Sequence, residues 1–139
     1  MEWSPPQWSE ARSLEHDHVF RSQCSVVLQR RFPNITMYVG VGVGERAQGL
    51  DDPTYRTYLE TVSAAFCSAF GVQPKKPLAT KVDGLAYDEL VATQNIRTAV
   101  VRVGIQDGVC ISYWFLGNAT RINEFNAVIG KARVIVDSR

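Results

Sequence analysis

The chain has 139 residues, 45% apolar and 21% charged, with a net charge of +1. That balance argues against disorder or a fibrous repeat, and the length suits one domain over 1–139 with a core that needs no metal or disulfide. Near-neutral charge neither requires nor rules out a nucleic-acid partner.

The three cysteines, Cys24, Cys67 and Cys110, are odd in number and lie in separate apolar stretches. They read as reduced packing thiols in a cytoplasmic protein. Met1 to Pro6 lacks the charge and apolar pattern of a secretory leader, and no apolar run approaches membrane length, so no membrane contact is expected.

In chain order, Ser4-Pro5-Pro6-Gln7 reads as a capping box opening a helix that ends near His16 to His18. Phe20 to Phe32 fits either a helix or, by preference, a strand from Cys24 to Leu28 entering a turn. Ile35 to Val43 alternates apolar odd positions with Thr36, Tyr38, Gly40, Gly42 and Gly44, the pattern of a strand with one apolar face and one nearly bare face. Asp52 as N-cap, Pro53 at the first helical position and Gly71 as terminator bound a helix with Tyr55, Leu59, Val62, Phe66 and Phe70 on one side. Leu78 to Val82 reads as an edge strand, and Leu85 to Ala92 as strand or short helix. Asp107-Gly108 is the pair that a two-residue type I′ turn requires, so Ile96 to Ile105 and Val109 to Leu116 form a hairpin. Asn118 then caps a helix through Lys131, and Arg133 to Val136 reads as a last strand.

This order predicts an α+β fold, an antiparallel sheet with helices mainly on one face. Two layouts fit it: the ferredoxin-like split βαβ arrangement, and the profilin-like arrangement of roadblock and longin modules, which the order resembles in topology.

Gly42 to Ala47 spells G-x-G-x-x-A after a strand, but five residues separate it from the next helix and two carboxylates stand at that helix start. Both features oppose pyrophosphate binding. The glycines Gly40, Gly42 and Gly44 instead suggest close approach by a helix, a subunit or a flat ligand. Glu15-His16-Asp17-His18 has no distant partner at metal spacing and reads as a solvated helix end. Asp88 and Glu89 read as solvent-facing acids. No nucleophile elbow, phosphate loop or paired-cysteine motif occurs, so neither a cofactor nor a metal is expected.

With Asp107-Gly108 as the turn, Arg102 pairs with Tyr113 and Val100 with Phe115. One hairpin face then carries Ala99, Val101, Val103, Cys110, Trp114 and Leu116, which helices are expected to cover together with the odd face of Ile35 to Val43. Tyr38, Arg102, Tyr113 and Phe115 are left on the opposite face, expected to be open and too apolar to be inert. The reading that follows is a binding or regulatory module acting through self-association or a protein partner across that face. Two alternatives accompany it. One is single-stranded nucleic-acid binding, since Tyr113-Trp114-Phe115 is similar in spacing to the aromatics of an RNA-recognition motif. The other is a small enzyme with a pocket between the glycine track and Leu78 to Ala92.

Overall fold

The computed structural model describes residues 8–10, 17–32, 35–82, 84–94 and 97–129. Within them a seven-stranded antiparallel sheet is built from β1 (Ser9–Glu10), β2 (Val26–Phe32), β3 (Ile35–Arg46), β4 (Leu78–Val82), β5 (Leu85–Gln94), β6 (Arg97–Gln106) and β7 (Val109–Gly117), in the order β1-β2-β3-β7-β6-β5-β4. Three helices accompany it: α1 (Asp17–Gln23), α2 (Pro53–Phe70) and α3 (Ile122–Ile129). The α+β class is as expected.

Local chemistry accounts for the main elements. The Asp52 carboxylate accepts from the Thr54 N–H at 2.9 Å, a donor that the helix itself leaves orphaned, and from the Gln48 N–H of the preceding loop at 3.0 Å. At the far end Gly71 adopts φ 64°, and the Val72 N–H returns to the Cys67 carbonyl at 3.0 Å, closing α2. Asp107 and Gly108 both have positive φ, 55° and 75°, which matches the twist of the β6–β7 hairpin. Its register is the expected one, with Gln106 opposite Val109 and Arg102 opposite Tyr113.

Several expectations need correction. Ser9 and Glu10 are strand rather than helix interior, and the ambiguous segment after them is divided, α1 ending at Gln23 and β2 starting at Val26. Of the two alternatives for Leu85 onward, strand is the one found. The helix after Asn118 begins as a 3-10 turn, Ala119–Arg121, before α3. The expected features at Ser4 to Gln7, Glu15, His16 and Arg133 to Val136 lie outside the described residues.

The larger correction concerns layering. β3 pairs with β7 so that Val39 faces Phe115 and Val41 faces Tyr113. Directly paired residues share a face, so the odd positions of β3 join Tyr113 and Phe115, not Trp114 and Leu116. Helices lie on both faces. α1 and α2 cover one, packing Phe20, Leu59, Val62 and Phe66 onto Val101, Trp114 and Leu116. α3 covers the other, setting Phe125 and Val128 on Met37, Val39, Val100, Tyr113 and Phe115. The sheet is the middle of three layers.

Candidate functional site

The four residues expected to line an open face are all buried. Tyr38 points to the α1–α2 side, its ring 6.3 Å from that of Phe20. Phe115 lies under α3, its ring 5.2 Å from that of Phe125, and Tyr113 lies beside it with its hydroxyl bonded to the Gln106 side chain. Arg102 is held from three directions. Its Nε donates to Glu89 at 2.7 Å, its Nη1 donates to Asn126 at 2.5 Å, and the guanidinium sits 4.9 Å from the centre of the Phe125 ring. The expected open residues are therefore interior, with α3 over Arg102, Tyr113 and Phe115 and α1 over Tyr38. A base could not stack on Tyr113 or Phe115 while that helix is in place.

α3 is anchored at its other side by charge. Arg30 donates to Glu124 at 2.9 Å, and the guanidinium groups of Arg30 and Arg121 lie 4.8 Å and 4.1 Å from the Phe32 ring centre. Arginine stacking of this kind keeps its charge near solvent while burying the flat face.

The glycine track faces α1 and α2. An added Cβ at Gly40 would come 2.6 Å from Cys24 Sγ, and one at Gly44 would come 2.6 Å from the Tyr58 ring. One at Gly42 would strike the Gln23 carbonyl oxygen. The close approach is thus made by the chain's own helices. β3 continues as strand to Arg46, with a register shift after Val43, so the G-x-G-x-x-A spelling does not open a helix.

Behind the track runs a buried polar chain. Trp114 Nε1 donates to Ser112 Oγ at 3.0 Å, and the same oxygen is 2.9 Å from the Tyr58 hydroxyl. Burial pushes the Tyr58 hydroxyl up to about 12 and raises the Cys24 and Cys110 thiols, keeping all three protonated at neutral pH. Tyr55 is raised too, first by burial and then by donating to Asp88 at 2.6 Å, with the Val103 carbonyl at 3.0 Å. Asp88 and Glu89, expected to face solvent, are partly buried and hold Tyr55 and Arg102.

The glycine track and Leu78 to Ala92, expected to flank a pocket, do not adjoin in the described sheet, because β7 and β6 separate β3 from β5. A depression of about 420 Å³ does touch the track, lined by Gly44, Glu45, Thr54, Thr57, Tyr58 and Thr61. A larger groove of about 560 Å³ lies along α2, walled by Leu59, Ala64, Val72, Pro74 and Pro77, with the Ser63 hydroxyl buried and without a partner among the described residues.

The outer strip of the α3 face stays open, as does Val43 toward the far end of β3. Leu78 is 74% exposed, Leu85 50% and Val91 37%. The pairings Leu78–Glu89 and Val82–Leu85, with the alternation along β5, set these side chains on the same face as Tyr87, beyond the reach of α3. Among the described residues β4 is the terminal strand of the sheet, and it leads directly from Pro77 of the groove. The expected face does hold Arg102, Tyr113 and Phe115, but Tyr38 is on the other one and none of the four is open; the exposed aliphatics of β4 and β5 lie at its edge.

Among the described residues no group of three His, Cys, Asp or Glu could hold a metal ion. No helix among them is long and apolar enough to cross a membrane.

The antiparallel sheet with its helices defines an α+β fold, and two solved structures superpose on it. A Bacteroides thetaiotaomicron protein superposes with a TM-score of 0.50 at 12% identity over 97% of this chain, which spans 44% of that protein's length. The solution structure of cyanobacterial PsbP (CyanoP) from Synechocystis superposes with a TM-score of 0.54 at 17% identity, over 95% of this chain and 84% of that one. The arrangement is PsbP-like, and at these identities the likeness is one of fold. No family model and no curated protein matches the sequence.

Proposed function

We propose that the chain is a small binding module that acts by protein–protein association, through the outer strip of β4 and β5. The observation that carries this reading is the grouping of Leu78, Leu85 and Val91, the first of them three-quarters exposed, on the side of an edge strand. Scattered exposed aliphatics need no explanation, but a row on one face of an open edge does. A strand edge supplies backbone donors and acceptors for affinity, and the alternate side chains supply selectivity.

Sizing in a gentle extract of the cells that make the protein tests the reading. The chain should elute in a complex well above its own 15.5 kDa. A Leu78→Ser/Leu85→Ser variant should elute as monomer with its melting temperature within a degree or two of the parent's. A parent chain that already elutes as monomer would sink the proposal.

A second reading, small-molecule binding, is favoured by the threonine-lined depression at Gly44. It predicts a retained metabolite in native mass spectrometry that Thr57→Trp expels. A parent protein that carries no extra mass removes it.

A further inference from the structure

The outward edge of β4 carries a pattern that fits itself. Val82 and Leu85 close a two-residue connection. In such hairpins the closing pair is hydrogen-bonded, so Leu78, Thr80 and Val82 direct their backbone groups toward β5. By alternation Ala79 and Lys81 direct theirs outward, where no strand of the described residues receives them.

We propose that the partner is a second copy of this chain, its β4 laid antiparallel to this one about a twofold axis at Thr80, joining the two sheets. This rests on the association reading above and names its occupant. In that register Leu78 faces Val82 of the second copy, Ala79 faces its Lys81, and Thr80 faces Thr80. Apolar meets apolar on the α3 face, and small threonines meet at the axis.

Charge complementarity on the other face sets the register. Ala79 is paired with Asp88 on β5, so the row across the interface reads Lys81 of one copy, then Ala79, then Asp88 of the other. The two backbones lie two strand spacings, about 10 Å, apart; the extended lysine and the Asp88 side chain together span that gap, and only a small residue at 79 leaves the path open. Twofold symmetry makes the contact twice. Lys81 is exposed, and no ion pair to it is formed within the chain among the described residues. An edge lysine ordinarily discourages strand addition; here it meets an acid displaced by one strand in its own second copy. Shifting the register by two residues would place Lys81 opposite Lys81 and remove the complement.

Purified full-length chain, studied by light scattering and by cysteine cross-linking, tests this. Twice the monomer mass is expected. Under mild oxidation Thr80→Cys should form an intermolecular disulfide, since the two Cα atoms at a non-hydrogen-bonded pair lie within disulfide range. Ala79→Cys should not, because its counterpart is displaced along the strand. Lys81→Glu, which fills no core position, should weaken the dimer at least ten-fold. A monomeric purified chain beside a large complex in the extract would overturn the second copy and leave the association reading standing. Monomer in both overturns both. A dimer that cross-links at 79 and not at 80 overturns the pairing.

Discussion

A methyl group on Gly42 has nowhere to go. The Gln23 carbonyl stands over the Cα, and Ser112 Oγ would be 2.6 Å away on the other side. The first of these is backbone at the end of α1, where Ser25 N–H is bonded to the Val41 carbonyl at 2.7 Å, so it cannot yield without moving the helix. At Gly44 the nearest obstacle is the ring of Tyr58 at 2.6 Å, a side chain that can shift toward the neighbouring depression, with Cys110 Cβ less close at 3.2 Å. Overpacking of a fixed site costs more than overpacking of a movable one. Gly42→Ala should therefore lose about 3 kcal/mol, and Gly44→Ala clearly less. Urea unfolding midpoints check this, and equal midpoints for the two variants would mean that α1 is not seated as described.

At the scale of elements, α3 decides what the sheet shows to solvent. It is eight residues long, too short to be stable alone, and is held by Phe125 on Phe115 and Arg102, with Glu124 on Arg30. Phe125→Ala should cost about 3–5 kcal/mol and expose Tyr113 and Phe115. Near-ultraviolet circular dichroism and dye binding would report that exposure, and a variant with the parent's spectrum and stability would mean that the cover lies elsewhere. This helix also marks where sequence reasoning stopped. The 3.6-residue period with its caps located α2, the Asp107-Gly108 pair fixed the hairpin register, and alternation sorted the hairpin's two faces correctly. Those are local signals. Which face of β3 joins which face of β7 depends on a pairing between residues some seventy positions apart, and nothing in the alternation of Ile35 to Val43 encodes it. Nor does the pattern Ile122, Phe125, Val128 say which side of the sheet its short helix will take, and the expected open face turned out to be the one it covers. The edge strip was signalled only faintly, by Leu78 and Leu85 flanking a weakly alternating strand.

For the whole molecule, the cap of α2 and the buried thiols and tyrosines set a window of pH. Asp52 is held below its ordinary value of 3.8 by the N–H groups of Gln48 and Thr54. Its contribution is complete above that value and is lost as pH falls through the depressed one. At the alkaline end the signs reverse. Cys24 and Cys110 are raised from 9.0, and Tyr55 and Tyr58 from 10.0, in each case mainly by burial. A neutral acid whose folded pKa is raised adds stability that is full below the unfolded value and drains away as pH climbs toward the folded one. The thiols should begin this loss near pH 9 and the tyrosines near pH 10, with the Tyr58 share exhausted at about 12. Denaturation midpoints should accordingly be flat from roughly pH 5 to 8.5 and fall above it. Tyr58→Phe separates the hydroxyl's two roles. At neutral pH it should lose about 1 kcal/mol with the Ser112 hydrogen bond. Above pH 10 its midpoint should decline less steeply than the parent's, because one buried group no longer has to ionise. A variant that declines as steeply as the parent would mean that Tyr58 reaches water, and that α2 rides less tightly on the glycine track than its contact with Gly44 requires.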